Sequence, residues 1–456
     1  MRLVELLVLK QDIDRVLKYI GDKGCFQFYS KLPDSVEDDS LQNLSDEELI
    51  AQKIEKIKSS LECTEYVYRI LLWIPKDICD SSSEEMSAIT ENRIAVRVFE
   101  PFEIPDVVNG KEKVPVKVHH NRFVRSFERM VFSFGSPLYG TVDPTPFVAV
   151  FFTLLFGMMF GDLGQGLVFL LIGILMSKKV IKAGGWNKFS AIFIAIGISS
   201  SLMGLLTGEF FSNETLLEPF AKWVTGFFGK PHAPILKVMY TPGGSLKAMF
   251  GLFGVAVAFG FIINSIGFII NIINNFRLRK IDKALFGKNG LSGAVFFWYV
   301  IALVLRIVIF KHTPKIYDFI ILGVSLFFAA FAEPFENLIN KKHPVLENGF
   351  GTYLISSVVE VIEVFSGMLS NTISFVRVGA FALSHAVLDY MIVILTELVG
   401  GELTIPGILI LILGNAIIIL LEGMIVAIQS IRLQYYEFFS KFFNETGKEF
   451  KPYKWR

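Results

Sequence analysis

The amino-acid sequence predicts a small α/β domain followed by an all-α polytopic membrane domain, and three observations lead to this fold class. Apolar residues make up 52% of the 456 positions and charged residues only 19%, with a mean hydropathy of +0.53. Because a soluble domain carries about 25% charged residues, this composition is typical of a membrane protein. Residues 1–145 hold 19 basic and 25 acidic side chains, whereas residues 146–456 hold 25 and 18. The long apolar runs begin only at residue 146.

We therefore expect a cytoplasmic α/β domain with a connector helix over residues 1–145 and an eight-helix domain over residues 146–456. The net charge of +1 gives no reason to expect a nucleic-acid partner. Two acidic residues lie beside the short apolar run at the start of the chain, which predicts that the N-terminus stays in the cytoplasm. The three cysteines are an odd number without C-x-x-C spacing, and so predict neither a disulfide framework nor a zinc site.

Hydrophobic periodicity gives the elements of the first domain. A long helical pattern is expected over residues 46–74, ended by Pro75. An amphipathic connector is expected over residues 120–138. The strands are expected at residues 3–9, 25–28 and 93–102, with a helix at residues 12–21 between the first two.

Seven apolar segments follow, and the first has an ambiguous length. They cover residues 147–176, 188–208, 248–273, 292–310, 316–339, 353–398 and 405–440. Thirty residues rise about 45 Å as a helix, which is long for one crossing and short for two. The loops at 177–188 and 274–291 are rich in Lys and Arg, which predicts that they are cytoplasmic. Both termini are then cytoplasmic only if the first segment crosses twice, turning at GDLGQG, residues 161–166.

The last two segments are longer than a perpendicular crossing requires, which predicts that these helices tilt or protrude. They also contain the charged residues. At 100° per residue, Arg377 lies 40° from Glu363 around the first of these helices. His385 follows on a neighbouring face of the same helix. On the second helix one 80° sector holds Glu422, Gln429 and Arg432.

Two interpretations of these residues stay open from charge alone. The arginines could be neutralised by Glu363 and Glu422 inside the bundle, or the whole set could line an aqueous ion path. His385 by itself is also typical of a packing histidine. Two further acidic residues have simple structural explanations: Asp162 would close the hairpin turn, and Asp389 would lie near the end of a crossing.

Four stretches resemble the a subunit, called subunit I in prokaryotes, of the V-type and A-type rotary ATPases. SNTISFVRVGAFALSHA, residues 370–386, resembles the penultimate membrane helix of that family. Residues 421–453 resemble its last helix and tail, FGMMFGDLGQG at residues 156–166 resembles its first hairpin, and residues 1–24 resemble its opening. These stretches occur in the family's order and span nearly the whole chain.

The resemblance implies a non-catalytic stator subunit that couples translocation of H⁺ or Na⁺ to rotation of a ring and to ATP hydrolysis or synthesis. It implies that Arg377 faces the rotating ring of c subunits and that Arg432 is a second arginine at that interface. Glu363, Glu422 and Gln429 would line two aqueous half-channels, with His385 as a polar neighbour.

The implied partners are the c-ring of small hydrophobic subunits, the peripheral stalk, the rest of the ATPase and membrane lipid, with no cofactor and no nucleic acid. The implied location is a multi-pass position in a bacterial plasma membrane. The sequence departs from the family pattern in three ways. Gly379 replaces a tryptophan, Gln165 replaces a frequent histidine, and the cytoplasmic part, about 145 residues, is shorter than usual.

Two other functions are compatible with a polytopic membrane domain. A secondary transporter would use the charged residues as a substrate or proton site, but such proteins often contain internal repeats and we find none in this sequence. A non-transporting scaffold would leave two arginines in the membrane without a role. Only the rotary ATPase subunit predicts a stable partner ring of small hydrophobic subunits.

Overall fold

A computed structural model describes most of the chain. The described residues are 1–29, 46–180, 184–213, 216–228, 235, 246–311, 313–331, 334–335, 350–401, 404–443 and 446–455. Contacts divide the chain into two compact units. Unit 1 comprises Met1–His119, Gly135–Tyr139 and Glu445–Arg456, and unit 2 comprises His120–Phe134 and Gly140–Asn444. The domain boundary drawn at residue 145 stays a prediction, because contacts do not measure whether a part folds independently.

Unit 1 is built on an antiparallel five-stranded sheet, which confirms the α/β fold class predicted for this region. Strand β1 (Arg2–Leu9) is central, and Leu6 lies opposite Ile70 of β4 and Val96 of β5. The order is β2–β4–β1–β5, with β3 also paired to β4. The other strands are β2 (Gln27–Phe28), β3 (Glu62–Cys63), β4 (Val67–Ile74) and β5 (Ile94–Phe99).

Three helices pack their apolar faces with the sheet residues into one core. Helix α1 (Ile13–Lys23) follows the prediction, and it ends where Gly24 takes a left-handed φ of 58°. The other two are α2 (Asp46–Ser60) and α3 (Lys76–Ile89). The predicted helix over residues 46–74 is wrong beyond Ser60. Its second half, VYRILLWI, forms β4 because the strand pairs on both sides and buries Ile70 and Trp73 completely.

The end of the chain forms part of unit 1. After a short 3₁₀ turn (Pro101–Glu103) and α4 (Pro105–Val108), strand β6 (Pro115–Val116) pairs in parallel with β7 (Lys448–Glu449). Trp455 enters the core of the sheet and helices, and its Nε1 donates a hydrogen bond to the Lys18 carbonyl at 3.3 Å.

The fit of this tail depends on its neighbours in unit 1. A Cβ atom at Gly21 would lie 2.1 Å from the Trp455 ring, so the glycine makes room for the indole. Burial raises the pKa of the neighbouring Tyr453 to about 12, so this phenol stays neutral in the core.

The regular elements in the described residues of unit 2 are helices. Five of the helices found there are long and apolar enough to cross a membrane, at Asn187–Thr207, Phe250–Arg277, Leu291–Val308, Tyr353–Leu398 and Ile405–Phe442. Three further apolar helices are shorter, at Thr145–Met159, Leu163–Ser177 and Ile316–Ala330. The predicted order of a small α/β region and a mostly helical part with candidate membrane spans is thus confirmed, whereas the count of eight crossings stays a prediction. Positions 332, 333 and 336–339 of the predicted fifth segment lie outside the described residues.

The helices of unit 2 have the following bounds. In chain order they are α5 (Arg122–Phe134), α6 (Thr145–Met159), α7 (Leu163–Ser177), α8 (Ser190–Thr207), α9 (Glu218–Phe228), α10 (Leu246–Arg277), α11 (Ile281–Leu285), α12 (Leu291–Phe310), α13 (Ile316–Ala330), α14 (Phe350–Ser374), α15 (Val376–Leu398), α16 (Ile405–Ile417), α17 (Gly423–Leu433) and α18 (Ser440–Phe442). A 3₁₀ helix (Gly184–Phe189) precedes α8.

The predicted break in the first apolar segment is confirmed. Helix α6 ends at Met159, and α7 begins after Asp162, whose carboxylate accepts a hydrogen bond from the Gln165 backbone N–H at 2.8 Å. Each helix has 15 residues and rises about 22 Å, less than the apolar thickness of a bilayer. The hairpin packs closely on α8, because a Cβ at Gly204 would lie 2.1 Å from the Leu163 nitrogen.

Both long C-terminal helices depart from regular α-geometry. A turn at Phe375 separates α14 from α15 within the 46 residues of Tyr353–Leu398. Two π-helical stretches, Ile418–Glu422 and Gln434–Phe439, flank α17. Such stretches rotate the helix faces relative to a uniform 100° pattern and occur often at functional sites. They therefore matter for where the polar side chains point.

We expect Trp455→Ala to destabilise unit 1 by about 3 kcal/mol, because the change removes a large buried side chain and leaves a cavity. Thermal unfolding of the purified chain and the rate of proteolysis within residues 1–119 would measure this effect. Phe102→Ala is the control, since Phe102 is 74% exposed and should tolerate the change. Equal effects of the two substitutions would contradict the docking of the tail.

Candidate functional site

Two groups of polar side chains lie in unit 2, and both join α15 to the last long helix. We call the first the arginine centre, formed by Ser374, Arg377, Gln429, Arg432 and Glu437. We call the second the histidine centre, formed by Asp162, Gln165, Glu209, Ser212, His385, Asp389, Asn415 and Glu422.

The arginine centre links α15 to α17 through an amide. Arg377 Nη1 donates to Gln429 Oε1 at 3.3 Å, and both side chains are half-buried. The buried Glu437 accepts a hydrogen bond from Ser374 and interacts electrostatically with both arginines. Arg432 is exposed and lies over the Tyr436 ring, with 5.9 Å from the guanidinium carbon to the ring centroid.

The surface around the arginine centre is apolar. Near Arg432, Ile425 and Ile428 are exposed, and near Arg377, Leu369 and Ile373 are exposed. A guanidinium group on such a surface is costly in lipid, at about 2.5–3.5 kcal/mol on insertion scales. The surface is therefore one that another protein or water would cover at the depth of the arginines.

The histidine centre is buried at its middle. His385 is fully buried, and its Nδ1 lies 2.8 Å from Glu422 Oε2. Its Nε2 lies 3.5 Å from Asp389 Oδ2, one helical turn further along α15. The Phe160 ring packs at 4.5 Å between ring centroids.

Amide and hydroxyl groups surround Asp389. Gln165 Nε2 donates to Asp389 Oδ1 at 3.2 Å and to Asn415 Oδ1 at 2.9 Å. Ser212 Oγ donates to the same Asp389 oxygen at 2.8 Å, and the Ser212 backbone N–H donates to Asp162 at 3.1 Å. Five separate segments of unit 2 therefore meet at one buried polar network.

The loop after α8 places two of these residues. Helix α8 ends at Gly208, with a φ of 85°, and the next carbonyl, that of Glu209, accepts from the Leu163 N–H at 3.0 Å. Phe211 and Ser212 then take positive φ values of 46° and 66°. Such backbone conformations are disfavoured for residues with side chains and are held by their surroundings. The result is that Glu209 and Ser212 reach the network.

The structure brings together four of the six predicted site residues in two pairs. Arg377 contacts Gln429, and His385 contacts Glu422. Glu363 lies apart, because its side chain is 61% exposed and pairs with Lys288 at 2.6 Å. Fourteen residues rise about 21 Å along a helix, so Glu363 is far from Arg377 even though the 100° pattern places both residues near one face.

The interpretation of the glutamates as counter-ions of the arginines is wrong. Within the described ranges no ion pair joins Arg377 to Glu363 or Arg432 to Glu422. Asp389, which the sequence suggested only as a residue near the end of a crossing, is buried in the network. Its spacing of four residues from His385 on a helix was the available signal.

Two of the three departures of the sequence from its family pattern acquire structural explanations. Gly379 is buried, and a Cβ atom there would lie 2.7 Å from the Phe253 ring of α10. The absent tryptophan therefore concerns packing inside the chain rather than packing against a partner. Gln165 bonds two neighbours through its amide nitrogen, so the residue has a structural role that its sequence position did not indicate.

A family model described as the V-type ATPase 116kDa subunit family matches residues 25–225 and 333–455. The chain belongs to this family. The match includes both long C-terminal helices and the first hairpin, and thus both polar centres. The resemblance stated from the sequence motifs is confirmed.

Relatives in the family come from bacteria and archaea. The V-type ATP synthase subunit I 2 of Treponema pallidum is 43% identical over 250 residues, covering 54% of this chain and 55% of that protein. The A-type ATP synthase subunit I of Methanocaldococcus jannaschii is 26% identical over 408 residues, covering 86% and 55%. That of Pyrococcus abyssi is 26% identical over 412 residues, covering 87% and 55%. The chain spans about half the length of the relatives it matches.

We expect Gln165→Leu to reduce the free energy of unfolding by about 1–3 kcal/mol, because the buried Asp389 and Asn415 oxygens would each lose a donor. Thermal unfolding in detergent would measure the change. Gln434→Leu is the matched control, since both amide atoms of this buried glutamine lack a hydrogen bond to the described part of the chain. If the control is as damaging as Gln165→Leu, the loss reflects side-chain shape rather than hydrogen bonding.

Proposed function

We propose that the chain is the stator subunit of a V/A-type rotary ATPase, where it couples H⁺ or Na⁺ translocation to rotation of a c-ring and to ATP hydrolysis or synthesis. The observation that carries this proposal is the position of the half-buried Arg377 and the exposed Arg432 beside exposed apolar side chains on the two long C-terminal helices. The chain itself catalyses no bond chemistry, and nucleotide chemistry belongs to other subunits.

The exposed arginines favour a partner with carboxylates at mid-membrane depth. An exposed guanidinium on an apolar surface is stabilised when a carboxylate of a covering protein faces it. A ring of small hydrophobic subunits, each with one ion-carrying carboxylate, has this chemistry.

The mechanism follows from charge. A ring carboxylate can pass through lipid only when its bound ion neutralises it. Opposite Arg377 the carboxylate releases that ion and pairs with the guanidinium instead. Because arginine keeps its proton, it accepts none from the ring and blocks direct cation flow between the two access paths. Rotation of the ring is then the route across.

The spacing of polar residues along α14 and α15 supports two half-channels. Glu363 precedes Arg377 by 14 residues, and His385 follows it by 8. The span from Glu363 to His385 is therefore about 33 Å, close to the apolar thickness of a bilayer, with Arg377 between its ends. Glu363 and Lys288 would lie on the cytoplasmic path. His385 and Glu422 would lie on the opposite path, and Gln429 would orient Arg377.

The proposed topology is consistent with this arrangement. Eight crossings with both termini in the cytoplasm assign the hairpin turn and the segment after α8 to the outer side, and these segments supply Asp162 and Glu209 to the histidine centre. We further propose residues 1–145 as a cytoplasmic domain that contacts the peripheral stalk and residues 146–456 as a domain in a bacterial plasma membrane. Both long helices would be tilted.

We expect Arg377→Ala to abolish ATP-driven ion uptake in reconstituted vesicles while the complex still assembles. Arg377→Lys should also be severely impaired, because an ammonium lacks the planar fork of a guanidinium and can lose its proton when buried. Arg432→Ala should retain part of the uptake, since Arg432 is more exposed.

The matched control is Arg277→Ala, at the exposed end of α10 and outside both polar centres. It should transport ions normally. Co-purification of small hydrophobic subunits with each variant would verify assembly. Near-normal uptake by Arg377→Ala in an assembled complex would exclude the proposed role.

Cysteine labelling tests the topology. In a chain without its native cysteines, we expect Lys178→Cys and Lys283→Cys to react with a membrane-impermeant reagent only from the cytoplasmic side. Pro314→Cys, in the loop between α12 and α13, should react only from the other side. All three positions are exposed. Labelling of Lys178→Cys from outside would mean that the α6–α7 hairpin does not cross the membrane twice.

A further inference from the structure

The histidine centre contains three side chains of the kinds that bind metal ions. The ligand atoms of Glu209, His385 and Asp389 all lie within 4.8 Å of one another, and all three residues are buried. They come from two parts of the chain, the loop after α8 and helix α15. The proposed ion path requires only protonatable groups and does not require that three ligand atoms converge.

The unused atoms of this group point toward each other. His385 Nδ1 is occupied by Glu422, at 2.8 Å. His385 Nε2 and Asp389 Oδ2 are 3.5 Å apart, and neither has a hydrogen-bond partner among the described residues. Buried polar atoms normally have such partners. Both residues are more than nine-tenths buried, with 0% and 4% of their surface exposed.

We propose that Glu209, His385 and Asp389 form a binding site for a divalent transition-metal ion, with Zn²⁺ as the best match to the ligands. Zinc binds imidazole nitrogen and carboxylate oxygen at about 2.0–2.2 Å in a tetrahedron, which separates neighbouring ligand atoms by about 3.4 Å. The separation of 3.5 Å between His385 Nε2 and Asp389 Oδ2 agrees with this value. Three protein ligands leave the fourth position for water.

The position of Glu422 supports a metal at Nε2. Histidines that bind metals usually donate their other ring N–H to a carboxylate, which fixes the tautomer and directs the lone pair at the metal. In the neutral tautomer that donates Nδ1–H to Glu422, the Nε2 lone pair faces Asp389. A metal would then take the place of the second proton that an imidazolium would direct at Asp389.

The charge of the site favours a divalent cation. In the described part of the chain, no Lys or Arg forms an ion pair with Asp389 or Glu422. Both carboxylates share His385 as a partner. A bound divalent cation would add positive charge and offset more of the cost of burying them. One imidazole and two carboxylates suit zinc and its neighbours in the transition series, whereas magnesium and calcium prefer oxygen ligands alone.

Metal titration of the full chain in detergent tests this site. After removal of metal by a chelator, titration calorimetry with Zn²⁺ should give one site per chain. His385→Gln and Asp389→Asn should each weaken Zn²⁺ binding by more than a hundredfold. Glu422→Gln should weaken binding by tenfold to a hundredfold, as expected for a group that orients a ligand.

Glu437→Gln is the matched control, because it removes a buried carboxylate outside the site and should leave the zinc affinity unchanged. Thermal unfolding of each variant verifies that it is folded. X-ray absorption of the zinc-loaded wild-type chain, which does not depend on any variant, should show one nitrogen and two carboxylate oxygens from the protein.

The absence of stoichiometric binding, or equal affinities of the wild-type chain and the two ligand variants, would overturn the proposal. A coordination shell without nitrogen would do the same. These measurements need neither the partner ring nor ion transport. Failure of the metal site is therefore distinguishable from failure of the proposed function, which the Arg377 variants test.

Discussion

A polar side chain on an apolar helix must find its partner inside the bundle or in a covering protein, and the arrangement of unit 2 depends on this requirement. The histidine centre meets it internally. His385, Asp389 and Glu422 are buried, and Gln165, Ser212 and Asn415 supply hydrogen bonds or complete the network. The hairpin between α6 and α7 and the loop after α8 must therefore pack against the two long helices. Small residues such as Gly204 permit the close contact that this packing needs.

The arginine centre meets the same requirement only in part. Arg377 contacts Gln429 but no carboxylate that would form an ion pair with it within the described ranges, and Arg432 is exposed among apolar side chains. The two centres thus differ in role. The histidine centre holds the helices together, and the arginine centre leaves positive charge at a surface where a second protein can supply the negative charge. The π-helical stretches on either side of α17 contribute to this difference, because they set the helix faces on which Glu422 and Glu437 lie.

Unit 1 depends on a different constraint. Its sheet is too small to form a core by itself and must be buried by other elements. The sheet residues pack with α1, α2 and α3, and Trp455 completes the core from the other end of the chain. Unit 1 therefore contains residues that follow the last membrane helix. A change at Trp455 would affect the stability of a unit whose five-stranded sheet lies more than 350 positions earlier in the sequence.

The sequence by itself determined the fold class, the hairpin break and the family, because apolar runs, loop charges and the motifs around Arg377 and Arg432 are local patterns. It also identified the helices that carry the polar residues. Only the tertiary structure decided which residues meet. Periodicity could not foresee that Glu363 pairs with Lys288, nor the strand formed by residues 67–74, which pairs with distant segments. Asp389 and Glu209 joined His385 through contacts between helices, and such contacts leave no periodic signal in any one helix.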